Sequence, residues 1–213
     1  MVSTNFDRIR LKSNKVRTKH YKNMINNPDK FYNNAKKLEI NTFIGNSMQL
    51  LSGNKGKIVI LDTQLFQTTQ ALITAGINPH RIIIIEGNQE VYNHMIDNKP
   101  SPDIQIIYDD LDTFVKNTTY IISGIYADLI SNRVENITNI ITDLSKKMRK
   151  RGTFFAYTLA MRRKKYTTKK NLTLVKKEFI KNTITYDCIK SYNYKIGQTM
   201  LFAGYVLRKK SGN

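Results

Sequence analysis

Acidic residues are scarce in this chain: 16 Asp and Glu stand against 35 Lys and Arg, a formal net charge of +19 over 213 residues. Cysteine is scarcer still. The single Cys188 excludes an internal disulfide and suits a reducing compartment. Three scattered histidines, His20, His80 and His94, leave no zinc-type cluster and no metal site is expected. No apolar run approaches the roughly 20 residues of a membrane span, so neither a transmembrane helix nor a membrane partner is expected. Near the N-terminus Phe6, Ile9 and Leu11 alternate with Arg8, Arg10 and Lys12, which breaks the apolar region a secretory signal needs. These absences point to an intracellular protein, cytoplasmic or nuclear.

What charge there is lies unevenly. Residues 38–145 hold 6 Lys/Arg against 12 Asp/Glu, residues 1–37 hold 10 against 2, and residues 146–181 hold 14 against 1. Basic flanks around an acidic middle suit a protein that grips a polyanion with one surface while another does chemistry. A hydrophobic fraction of 40%, with 12 Tyr and 9 Phe, marks a folded core despite the charge. The length suits one domain with an appended segment. We divide the chain into a basic, Asn-rich arm and helix over residues 1–54, and a domain over 55–213.

Within the domain, strands and helices alternate. Strands are predicted at 57–62, 81–86, 103–108, 119–125 and 153–159, with helices at 68–75, 89–97, 111–116, 134–151 and 172–182. Ahead of them, Ile40, Phe43, Ile44, Met48 and Leu51 fall at helical spacing. The four consecutive isoleucines at 82–85 are too β-branched and too short a run for anything but a buried strand. Five β-α units imply right-handed crossovers and a doubly wound parallel sheet. Two last strands, 184–194 and 198–208, are joined so tightly that they must pair antiparallel.

This order resembles the class I S-adenosylmethionine-dependent methyltransferases, whose seven-stranded sheet takes in a C-terminal antiparallel hairpin. The resemblance covers roughly residues 55–210 and rests on element order and strand-end positions. It implies a Rossmann-like α/β fold, S-adenosylmethionine as cofactor and methyl transfer as activity. Asp62, with Thr63 beside it, stands where the family's first strand ends in an acid, and Glu86 where an acid bonds the ribose hydroxyls. Asp109 or Asp110 stands where an acid or amide meets the adenine. The turn after Asp62, residues 63–69, contains no glycine, the residue that lets backbone N–H groups approach a ligand closely. At the exit of strand four the family places substrate contacts. Ser123 and Tyr126 have the spacing of the polar residue and aromatic used by base amino-methyltransferases, with Gly124-Ile125 in place of two prolines. That implies that Ser123 accepts a hydrogen bond from an exocyclic amine and that Tyr126 stacks on an extruded base. The Lys-Asp-Lys-Glu set of ribose 2′-O-methyltransferases is not visible, because no aspartate opens the predicted loop after strand four.

Each assignment has a plainer counterpart. Asp62 and Glu86 would equally cap the helices that follow them. The cationic stretch Arg162, Arg163, Lys164, Lys165, Lys169 and Lys170 is either a solvated face or a nucleic-acid contact. The absence of acids other than Glu178 between Lys146 and Lys181, and the interleaved Tyr157 and Tyr166, favour RNA or DNA. Two functions follow: a nucleic-acid methyltransferase, or a non-catalytic nucleic-acid-binding or accessory protein whose methyltransferase-like fold has lost its cofactor. Whether a partner subunit completes the site is left open, as is the oligomeric state.

Overall fold

The computed structural model describes residues 35–53, 55–129, 134–149, 152–161, 167–196 and 198–210. Helix α1 (Ala35–Ser52) leads into strand β1 (Lys57–Ile60) and helix α2 (Gln67–Thr74). Then come β2 (Ile82–Glu86), α3 (Gln89–Asn98), β3 (Gln105–Tyr108), α4 (Leu111–Asn117), β4 (Ile122–Asp128), α5 (Val134–Lys147) and β5 (Thr153–Ala160). Helix α6 (Thr168–Lys181) precedes the hairpin β6 (Ile184–Ile196) and β7 (Gln198–Lys209). The seven strands form one sheet in the order β3-β2-β1-β4-β5-β7-β6. The first five are parallel, and β7 enters antiparallel between β5 and β6. The doubly wound methyltransferase-like fold expected from the element order is what the chain adopts.

The isoleucine run shows why the sheet is buried on both faces. Ile82 and Ile84 enter one hydrophobic layer, while Ile83 and Ile85 enter the other. The first layer is completed by Ile40, Ile44 and Met48 of α1 with Leu72 of α2 and Met95 of α3. Phe114 and Val115 of α4, the Ile137–Ile141–Leu144 stripe of α5 and Phe179 of α6 complete the second. Helix α1 is thus a full member of the core layer over β4 and β5, its apolar residues recurring every four positions. Gly45 lets it approach α2 closely: a Cβ there would lie 2.6 Å from the Ala71 carbonyl oxygen.

Two boundaries differ from the sequence expectation in ways that matter for function. Strand β4 runs Ile122–Asp128, three residues later than predicted, and Tyr120 and Ile121 ahead of it are exposed. Helix α6 begins at Thr168, where the Thr167 hydroxyl accepts a bond from the Lys170 N–H at 3.2 Å. Lys169 and Lys170 therefore sit on its exposed first turn. Arg162, Arg163, Lys164 and Lys165 lie outside the described residues.

Candidate active site

The strand order reverses between β1 and β4: the chain winds outward to β2 and β3, then returns to the other side of β1. In open α/β sheets the crevice beyond the carboxyl ends of the strands at such a switch point is where ligands bind. Here Asp62 follows β1, Glu86 ends β2, Asp109 follows β3 and Asp128 ends β4, so one sheet edge gathers four carboxylates.

Asp62 is buried and heavily bonded. Its Oδ1 accepts from the N–H of Thr63 at 2.8 Å and of Thr68 at 3.5 Å, and its Oδ2 accepts from the Thr69 N–H at 2.7 Å and hydroxyl at 2.6 Å. Burial pushes its pKa up, against the pull of the Thr69 and Thr63 bonds and of the Lys37 ammonium. The carboxylate thus serves the N-terminus of α2. Glu86 behaves differently. Asn88 caps α3, accepting from the Val91 N–H at 3.1 Å, while the buried Glu86 accepts from the Asn88 N–H at 2.6 Å. Glu86 thus holds the backbone of the residue that caps α3, and does not itself accept the Val91 bond. Asp109 accepts from the Asp110 N–H at 2.8 Å, and the exposed Asp110 starts α4 without a side-chain cap bond.

Ser123 is not at this edge. Because β4 starts at Ile122, Ser123 lies at the amino end of the sheet, donating to the Lys57 carbonyl and accepting from the Arg81 guanidinium, both at 3.1 Å. Arg81 also donates to the carbonyls of Gly53, Lys55 and Gly56, so the group ties down the turn before β1. This placement removes Ser123 from the substrate contacts expected of it. Ser123→Ala is expected to cost about 1 kcal/mol in denaturant unfolding, the scale of one hydrogen bond.

Tyr126 does not present a stacking face to the site. Its ring is buried against Phe202, edge-on at 6.5 Å between centroids, and so is not placed to stack on a base. Its hydroxyl does reach the edge, 2.9 Å from Thr158 Oγ1 and 3.1 Å from the Lys37 ammonium that donates to it. Burial, and then the negative charge of Asp128, keep the phenol protonated far above its ordinary range.

The cluster's centre was not foreseen in the sequence. Lys37, from the first turn of α1, donates to the Asp128 carboxylate across 91 positions of chain and lies 5.3 Å from the Tyr126 ring centre. Burial alone works to depress the Lys37 pKa; the Asp128 carboxylate, then Tyr194 and Asp62, more than offset this and hold it above its ordinary value. The ammonium is therefore charged at neutral pH. Lys37, Tyr126, Asp128 and Thr158 together form a polar knot beside Asp62, at the reversal of strand order. Among the described residues, no group of three His, Cys, Asp or Glu has the arrangement to hold a metal. No described helix is long and apolar enough to cross a membrane.

No protein-family model matches this chain, and no curated protein sequence does. Solved structures do match it. The ribosomal protein L11 methylase of Lactobacillus delbrueckii is 10% identical with a TM-score of 0.54, covering 82% of this chain and 80% of its own. The fibrillarin pre-rRNA processing protein of Methanococcus jannaschii is 13% identical with a TM-score of 0.54, covering 75% and 70%. The N-methyltransferase NodS of Bradyrhizobium japonicum, in complex with S-adenosylhomocysteine, is 12% identical with a TM-score of 0.57, covering 82% and 89%. The fold is that of the class I S-adenosylmethionine-dependent methyltransferases.

Proposed function

We propose that this chain binds S-adenosylmethionine and transfers its methyl group to a nucleic acid. The observation that carries the reading is the Lys37–Asp128–Tyr126 knot at the switch point, flanked by the buried Glu86 carboxylate at the end of β2. The donor set fits the cofactor. A sulfonium and an ammonium are cations, and Asp62, Glu86, Asp109 and Asp128 make this edge the acidic one of an otherwise basic protein. Glu86 is a carboxylate able to accept two ribose O–H bonds, and Asp109, with its neighbour Asp110, lies on the adenine side. When bound, the cofactor supplies an electrophilic methyl.

The chain's own residues then have to hold and prepare the nucleophile. Asp128 accepts a hydrogen bond from the attacking O–H or N–H, and the Lys37 ammonium that donates to it holds it in place. A lysine and an aspartate in contact supply two residue types of the Lys-Asp-Lys-Glu set, because β4 does end in an aspartate after all. A ribose hydroxyl therefore stands beside a base amine as the acceptor. The net charge of +19, and Lys169 and Lys170 exposed at the start of α6, support a polyanionic substrate. The similar structures include a pre-rRNA processing protein, which agrees with RNA.

Titration calorimetry with S-adenosylmethionine and S-adenosylhomocysteine tests the cofactor. Binding is expected in the micromolar range, weakened by about 1–3 kcal/mol in Glu86→Ala, the scale of a lost hydrogen bond to a charged group. No heat from either ligand would end the reading. For the substrate, affinity for RNA or DNA should fall steeply between about 50 and 200 mM salt, and a flat response would remove nucleic acid as the partner.

A further inference from the structure

The turn between β1 and α2 has no glycine, yet it sits where the proposed cofactor must dock. Phe66 occupies the left-handed conformation there, at φ 51°, and is itself buried. The backbone donors of this turn are largely spent. The N–H groups of Thr63, Thr68 and Thr69 go to Asp62, that of Leu65 to the Thr63 hydroxyl, and that of Phe66 to the Thr63 carbonyl. Among the described residues, one buried side-chain donor of the turn is left over. Gln64 is 7% exposed, and its Nε2 has no hydrogen-bond partner in the structure. A buried N–H group with no acceptor is costly enough to be rare.

We infer that Gln64 recognises the carboxylate of the cofactor's amino-acid end, a side-chain donor in place of the backbone donors a glycine turn would expose. This rests on the cofactor reading above. The surrounding edge is acidic, so the cofactor's two cationic centres find partners readily, whereas its carboxylate needs a donor, and the Lys37 ammonium is already engaged by Asp128 and Tyr126. A neutral amide donor suits this place: it bonds an anion without cancelling the acidity that attracts the cations. Asn171, buried in the first turn of α6, has the opposite valence. Its unpartnered atom is the acceptor Oδ1, so it does not compete for this role.

The test uses the full chain, S-adenosylmethionine, and its decarboxylated analogue, which keeps both cationic centres. Calorimetry on the wild type should show about a tenfold or greater preference for the carboxylate-bearing ligand, the range for a hydrogen bond to a charged group. In Gln64→Met that preference should vanish through weaker S-adenosylmethionine binding alone, with affinity for the decarboxylated ligand unchanged. The melting temperature of the ligand-free variant should stay level or rise, since an unpaired buried amide has been removed. Gln64→Glu should invert the preference. Equal weakening of both ligands in Gln64→Met, or a preference that survives it, would overturn the assignment while leaving the cofactor site standing. A wild type that binds neither ligand would overturn both.

Discussion

Asp128→Ala is expected to lower unfolding stability by about 3 kcal/mol and to abolish measurable methyl transfer. The variant leaves the Lys37 ammonium beside Tyr126 without its counter-ion, and an unpaired buried charge costs about 3–5 kcal/mol. The low end applies because the two side chains retain 17% and 24% of their exposure. Loss of a group that manages the nucleophile's proton costs about 10²–10⁴ in rate. Lys37→Met should be gentler on stability, since the Asp128 side chain left behind is the more exposed of the two and keeps more of its hydration. The double variant Lys37→Met/Asp128→Leu should recover most of the stability and none of the activity. Denaturant unfolding of all four proteins, read as a double-mutant cycle, gives the coupling directly. If the four stabilities add, the pair is a surface contact without structural weight.

Gly45→Val should be nearly as damaging, from outside the site. Its first added atom would lie 2.6 Å from the Ala71 carbonyl oxygen and 3.2 Å from the Ala75 Cβ, so α1 has to lift from α2. Overpacking of this kind costs about 1–3 kcal/mol. Gly45 is eight positions beyond Lys37 on the same helix, about 12 Å along its axis at 1.5 Å per residue. Lifting the helix therefore carries the ammonium off Asp128. Thermal melts and methylation assays on this variant should both decline, with activity falling further than the melting temperature alone explains. Leu50→Ala, on the same helix but 83% exposed, should change neither. Full activity in Gly45→Val would mean that α1 does not hold Lys37 in place.

The strands that could be read from the sequence were those with a sharp local signal. Four consecutive isoleucines admit one interpretation, and the short connection between β6 and β7 admits one pairing. The phase of β4 was not legible. All but its last residue are buried, so no polar alternation marks its register. Gly124 is there for packing: a Cβ would come within 3.3 Å of the Met48 sulfur. That three-residue slip moved Ser123 into the expected site and Asp128 out of it. Lys37 could not have been found by pattern at all. Its place depends on a helix docking across the sheet to a residue 91 positions away, and nothing local to residue 37 distinguishes it from the lysine before it. An acid closing each of the first three β-α units was the one available hint that a fourth should be sought at the end of β4.

The insertion of β7 between β5 and β6 also dictates how the molecule can assemble. The first five strands and their crossovers can close on one another in chain order, but β5 then stands as an open edge. Its eight residues, all buried in the finished protein, would wait with unpaired N–H and C=O groups exposed. The hairpin pairs its own two strands locally, and the sheet is complete only where β7 docks against β5. Wherever that docking is not made, the open β5 edge can pair instead with a strand of another copy of the chain.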